Sequence, residues 1–416
     1  MAGTNVANVQ AAFHRVYDTK LREYLPIFAE FCKNVPMEPS PLGDTYEVCL
    51  RARLSHSGAG GSANDGAFAL APFRGSSLVR GRIEAFTHVW RESMAWGDVK
   101  RAMASKSSFI SGTKELVKGL MDTSVWYTEN FMVNGWSFGK IASAGGGTAT
   151  TAVLTFVGGE FAPGLWGAAE NMLIEARLSS NLATLVSSGE DAKFAVVSVN
   201  DADKTVTVSG SSTGITALKA ISADHEVGPV GFYGVVAPGL VQQVTNTGTI
   251  FNIDSTVYGI ARGNTIDAGG TALTRELIEE ASARCSNRGN KKDLLVYLAH
   301  NAFGKVAANE AAYRRFDSGD SKLVNGAKEL EFYSSNGATL KLKPHGALRE
   351  GQVILVPEDS LRRVGASDFA LGTPGADQGS IEALPDNAGV QIKCGSIQSL
   401  YTCAMSHSAL ITNFQV

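Results

Sequence analysis

The sequence predicts an α+β protein in which one long helix supports a β-hairpin, an inserted β-rich domain and an α/β unit. Three observations predict it. Apolar residues recur at helical spacing from Phe109 to Met132. Two strand-like runs, YEVCLRARL and RIEAFTHVWRES, flank the Gly- and Ala-rich tongue LSHSGAGGSANDGAFALAPFRG, Leu54 to Gly75. From ASAGGGTATTAVLTFVGG to about residue 262, short strand signals replace helical ones.

Composition bounds the partners. The 416 residues suffice for two or three domains and a sizeable core. With 37 basic and 40 acidic residues the net charge is -3, so no counterion-releasing nucleic-acid surface is expected. No run of about 18 apolar residues is present that would cross a bilayer as a helix. The first residues, MAGTNVANVQAAFHRVY, lack the apolar centre of a signal peptide. Five scattered cysteines, Cys32, Cys49, Cys285, Cys394 and Cys403, form no C-x-x-C pair and are expected to be reduced, structural thiols of an intracellular product.

Residues 1–44 read as an arm with short helical pieces: Phe13, Val16, Leu21, Leu25 and Phe28 fall at helical spacing until Pro26 breaks it. Residues 45–98 form a hairpin that starts near Thr45 and returns through SLVRGRIEAFTHVWRES. Residues 99–144 hold the long helix, with Gly135 as its stop; about 25 residues at ~1.5 Å rise make a rod of roughly 37 Å.

Residues 145–262 are the β-rich insertion, with strands TAVLTFV, NMLIEARLS, KFAVVSVN, KTVTVSG and GFYGVV, and a core of its own. The middle pair meets at the polar turn Asp201-Ala202-Asp203. Residues 263–375 alternate helix and strand. Thr274 caps a helix through Cys285, LLVYLA is a buried strand, Asn301 caps AFGKVAANEAAYRRF, and LEFYSS, TLKLKP and QVILVP follow. Residues 376–416 return to strand.

Each motif that imitates a reactive site fails on its context. GAGGSA, Gly58 to Ala63, fits a dinucleotide fingerprint, but Gly66, Pro72 and Gly75 follow where a helix must open. GSSTG around Ser212 fits a nucleophile elbow, but ITALKAISADHEVG after it reads as strand and turn, with only His225 near. GWSFGKIAS has the wrong spacing for a phosphate loop. The seven histidines show no paired ligand spacing, and DAD lacks the Gly and distal Glu of a calcium loop. NRGNKKD is a solvated loop. No catalytic, cofactor or metal site is expected.

The order of elements resembles the major capsid proteins of tailed double-stranded DNA bacteriophages, with their Hong Kong 97-type fold. GDTYEVCLRARL and RIEAFTHVWRES carry the likeness around the tongue, FISGTKELVKGLMDTSVWYTENFMVNG along the rod. IDSTVYGIARGNTID and ELIEEASARCSNRGNKKDLLVYLAHNAFGKVA carry it further on. It spans roughly residues 1–140 and 262–416. The resemblance makes 45–98 the extended loop, the rod the spine helix of the peripheral domain, and 263–375 the axial domain. Residues 376–416 return to the peripheral and axial sheets, and the insertion is a β-barrel-like decoration.

It implies a structural protein, not an enzyme, that self-assembles into hexamers and pentamers around double-stranded DNA. The partners implied are further copies of itself, a portal protein, a separate scaffolding protein and a cement protein. The subunit would assemble in the host cytoplasm and reside in the virion. Some relatives crosslink through a Lys of the extended loop, but Leu54 to Gly75 contains no Lys. Gly58, Gly60, Gly61, Phe68, Leu70 and Phe73 are the expected intersubunit contacts. The alternatives are an encapsulin-like shell of the same fold and an α/β enzyme with 54–75 as its lid.

Overall fold

The computed structural model describes residues 29–39, 45–60, 70–95, 106–313, 330–334, 337–372, 381–383 and 389–415. Helix α1 (Glu30–Asn34) and strand β1 (Met37–Pro39) come first; Phe13 to Phe28 of the arm lie outside the described residues. β2 (Thr45–Arg53) and β3 (Ser77–Glu84) pair antiparallel, from Thr45 opposite Glu84 to Arg53 opposite Ser77.

The return run is two strands, not the one expected. After Glu84, β4 (Phe86–Ala95) leaves the hairpin for another sheet. Two cores divide the run: Ile83 is buried with Val364 and Tyr401, whereas His88 and Trp90 point toward the long helix, meeting Phe131 and Tyr127.

That helix, α2 (Lys106–Asn134), has 29 residues, or roughly 44 Å at its regular rise. Gly135 ends it at φ 68°, donating its N–H to Phe131 O at 2.9 Å. This left-handed position admits glycine without strain.

Six antiparallel strands then close a barrel: β5 (Gly139–Gly145), β6 (Thr151–Phe156), β7 (Leu173–Leu178), β8 (Phe194–Asn200), β9 (Thr205–Ser209) and β10 (His225–Pro229). Around the barrel the order is β10-β5-β6-β9-β8-β7. The first strand starts at Gly139, ahead of residue 145, and the segment 230–262 lies outside the barrel. GFYGVV is a turn, not a strand, with Gly231 and Gly234 at φ 82° and 77°. ITALK is helical: a short helix, α3 (Pro163–Trp166), precedes α4 (Ser212–Lys219), where Ser211 Oγ accepts the Gly214 N–H at 3.0 Å and Ile215 and Leu218 bury the apolar face.

The barrel does not keep its core to itself. Leu154, Ile174 and Val206 of the barrel belong to one apolar cluster with Trp126 and Phe131 of α2 and Trp90 of β4.

Helix α5 (Leu240–Val244) and the small hairpin of β11 (Thr249–Ile250) and β12 (Ile253–Asp254) lead into the α/β unit. It comprises β13 (Asn264–Asp267), α6 (Arg275–Asn287), β14 (Leu294–Leu298), α7 (His300–Tyr313), β15 (Leu330–Tyr333), β16 (Thr339–Pro344) and β17 (Val353–Pro357). The chain ends in β18 (Leu361–Leu371), β19 (Ile381–Ala383), β20 (Gly389–Thr402) and β21 (Ala409–Thr412).

The six-stranded mixed sheet runs β13-β21-β17-β14-β16-β15. β14 is buried throughout because both its faces are covered: Leu294, Val296 and Leu298 join the core with Ile278 of α6, whereas Leu295 and Tyr297 face the one with Phe31 and Met132. Asn301 is not the cap expected of it. It lies within α7 and donates Nδ2–H to Glu350 Oε1 at 2.6 Å. In the five-stranded sheet, β20 is central, with β4 on one edge and β18 and β19 on the other; β1 adds parallel to β18.

Candidate assembly surface

The hairpin alternates as a half-buried ribbon should. Tyr46, Val48, Leu50, Val79 and Ile83 face inward onto Val364, Tyr401, Phe251 and Ile253. Arg82 donates its backbone N–H to Phe251 O at 2.8 Å, and a Cβ on Gly81 would meet Ile253 Cδ1 at 3.0 Å, so the two ribbons are in close contact. Glu47, Cys49, Arg51, Arg80, Arg82 and Glu84 face out and are exposed.

Beyond the strands the ribbon is held by its serines. Ser55 Oγ and Ser57 Oγ donate to Arg74 O at 2.9 and 3.1 Å, and Ser57 Oγ accepts the Arg74 N–H at 2.6 Å. Past this neck, Leu70 and Phe73 are 83% and 87% exposed, with Leu54 and Leu78 also uncovered nearby in the chain. Gly58 and Gly60 have no positive φ, and a Cβ at either would find nothing within 4 Å. Among the described residues, nothing therefore requires glycine at these positions. Gly61 and Phe68 lie outside the described residues.

A second feature, absent from the sequence reading, holds the arm. Ala29, at the N-terminus of α1, has no capping side chain, and the long helix supplies one. Glu129 accepts the Phe31 N–H at 2.7 Å and the Cys32 N–H at 3.0 Å, while His345 Nε2 lies 3.0 Å from the same carboxylate. At the other end, Arg363 donates to Cys32 O at 2.8 Å and Val35 O at 3.2 Å, backed by Asp368 at 2.7 Å. A carboxylate at the N-terminus and a guanidinium at the C-terminus both match the helix dipole. Burial opposes the charge on Glu129, but the His345 and main-chain hydrogen bonds outweigh it and hold the carboxyl below its usual range. Burial raises the Cys32 thiol, assisted by Glu129. The sequence signal was a lone Glu within the apolar run SVWYTENFMVN.

Among the described residues, Ser212 and His225 of the rejected motifs sit on separate elements. Ser212 begins α4 and is exposed, whereas His225 is in β10 with Nδ1 2.7 Å from Ala223 O. Lys292 of the basic loop pairs with Asp359. All five cysteines are free thiols. Among the described residues, no cluster of three or more His, Cys, Asp or Glu could hold a metal, and no helix is long and apolar enough to cross a membrane.

No protein-family model matches the chain, and no curated protein does. Solved structures do. The chain is similar to the capsid of a native GTA particle, at 7% identity and a TM-score of 0.52, covering 100% of both chains. It is also similar to the capsid of cyanophage A-1(L), at 10% identity and a TM-score of 0.53, covering 99% of this chain and 100% of the other. The fold is the Hong Kong 97-type capsid fold.

Proposed function

We propose that the chain is the major capsid subunit of a tailed double-stranded DNA bacteriophage, building hexamers and pentamers of an icosahedral head. The observation that carries this reading is the hairpin tip. Leu70 and Phe73 stand in solvent on a ribbon whose root is packed, and a large apolar side chain gains ~1.5–3 kcal/mol when buried. A second copy is the natural cover, because every subunit of a shell offers one tip and one acceptor. Gly58, Gly60 and Gly61 then allow the tip backbone to lie close against that copy, with Phe68 as a further anchor. The fold-level likeness to two capsids supports the same reading.

The role is structural and non-enzymatic. The shell encloses DNA without reading its sequence, in keeping with a net charge of -3. Portal, scaffolding and cement proteins are the further partners of such a head, which forms in the host cytoplasm and becomes the virion.

The test is negative-stain microscopy and size-exclusion chromatography of the subunit co-expressed with its neighbouring gene products. Closed shells of megadalton mass are expected, and DNA in the native particles. A small oligomer under all conditions would overturn the reading, and a DNA-free cargo shell would favour a non-viral compartment.

A further inference from the structure

The two strands of the hairpin are covered unequally. β3 buries Gly81 and Ile83, and its Arg82 N–H donates outside the hairpin, to Phe251 O at 2.8 Å. Among the described residues β2 forms a ladder with β3 alone, and none of residues 46–53 is buried. The second edge of this nine-residue strand is thus a row of backbone donors and acceptors without a ladder. Such an edge is a template for another strand, and folded proteins cover or blunt it. β2 contains no proline, and its one irregularity falls between Arg51 and Arg53.

The sequence of β2 says which strand fits there. Laid antiparallel on a second β2 about Cys49, it sets Glu47 of each copy opposite Arg51 of the other. Val48 then meets Leu50, and Cys49 meets Cys49 at the centre. Glu47, Cys49 and Arg51 are exposed on the outward face, whereas Val48 and Leu50 pack inward. Opposite charges therefore meet on the wet face and apolar side chains on the packed one, each a favourable cross-strand pair. Within one copy the Glu47 carboxylate has a long, solvated pair with Arg80, at 3.9 Å. A register shift of one residue would oppose exposed to packed side chains. A shift that sets Glu47 against Arg53 would run through the irregularity.

We propose that two copies of the chain pair edge to edge through β2, about a two-fold axis at Cys49. The product is one four-stranded antiparallel ribbon, β3-β2-β2-β3, with an isologous interface. This contact is additional to the hairpin tip and rests on the reading of the chain as a self-assembling subunit. Because the paired strands are antiparallel, each tip points toward the root of the partner's hairpin. Leu70 and Phe73 are thereby carried toward a second copy.

Cys49 offers a native probe. Directly opposite Cα atoms of an antiparallel ladder lie ~4.5–5.5 Å apart, within the ~4.4–6.8 Å that a disulfide spans. Diamide, added to the full-length subunit, takes up two hydrogens as two thiols join. A covalent species that stops at the dimer and disappears with dithiothreitol is expected. Cys49→Ser should abolish it, and Cys403→Ser, at the other exposed thiol, should leave it. Glu47→Arg sets like charges opposite one another and should lose the dimer, with the circular dichroism unchanged. Adding Arg51→Glu reverses both charges and should restore it.

The pairing is overturned if wild type gives no dimer, or one that forms through Cys403. It is equally overturned if Glu47→Arg still dimerises or the charge reversal restores nothing. Microscopy of the same samples separates the two readings. Closed shells without the Cys49 dimer reject the pairing and keep the shell; the Cys49 dimer without shells under any condition does the reverse.

Discussion

Phe31 donates its backbone N–H to Glu129 Oε1 at 2.7 Å, across 98 residues of sequence. The bond caps a five-residue helix that is too short to be stable alone. The arm is thus seated through its main chain, by groups that belong to the body of the subunit.

Glu129→Gln is expected to loosen this seat, costing about 1.5–3 kcal/mol for hydrogen bonds to a charged acceptor. The pH dependence has a definite sign. Burial is outweighed by the His345 and main-chain hydrogen bonds, so the folded pKa lies below the ordinary 4.5. The stabilisation is therefore complete above that ordinary value and is lost as pH falls through the lower folded one. Hydrogen exchange at the Phe31 and Cys32 amides should show flat protection at neutral pH and a loss in acid. In Glu129→Gln that acid step should be missing; if it persists, Glu129 is not the titrating group.

Gly159 and Gly351 bring the barrel and the α/β unit together backbone to backbone, with Gly351 N–H donating to Gly159 O at 2.8 Å. A Cβ on Gly351 would lie 2.8 Å from Gly159 Cα. Gly351→Ala should destabilise the subunit by about 1–3 kcal/mol through overpacking. Gly158→Ala, where a Cβ meets nothing within 4 Å, is the control and should leave Tm unchanged or slightly raised. Equal melting of the two variants would show that the contact yields freely.

Along the long helix, Leu120 is 4% exposed and Val117 only half-buried against the same cluster. Leu120→Asp puts an unpaired charge into that core and should cost on the order of 3 kcal/mol or more, giving insoluble subunits. Val117→Asp, whose carboxylate can reach water, should cost less. Soluble expression and thermal melting rank the two, and the reverse order would place the buried face elsewhere.

At the tip, Leu70→Ser with Phe73→Ser should change subunit stability by less than about 0.5 kcal/mol, because both sites are exposed. Closed particles should nonetheless be lost. Deleting Ser57 to Ala67 and changing Phe68 and Phe73 to Ser extends the test to the rest of the tongue. Circular dichroism and particle yield separate folding from assembly, and wild-type yield would remove the tip from the interface.

What the sequence determined by itself is local. The 3.6-residue stripe along the long helix, the unbroken apolar LLVYL of β14 and the alternation in TYEVCLRAR each depend on residues within a turn or two. So does Gly135 as a helix stop, since its φ of 68° ends the helix locally. The exposed Leu70 and Phe73 were also legible, as apolar residues in a stretch too rich in glycine to cover them.

Tertiary structure decided which core claims each face. It split the return run at Ala85, because Ile83 and Trp90 bury against different partners. It made ITALK a helix, whose Ile215 and Leu218 bury on the barrel core. It placed Asn301 beside Glu350 rather than at a helix end. The seat of the arm was hidden for the same reason: Glu129 and His345 are 216 residues apart, and a buried carboxylate survives only where distant donors converge on it. Periodicity is a property of neighbours along the chain; the satisfaction of a buried polar group is a property of neighbours in space.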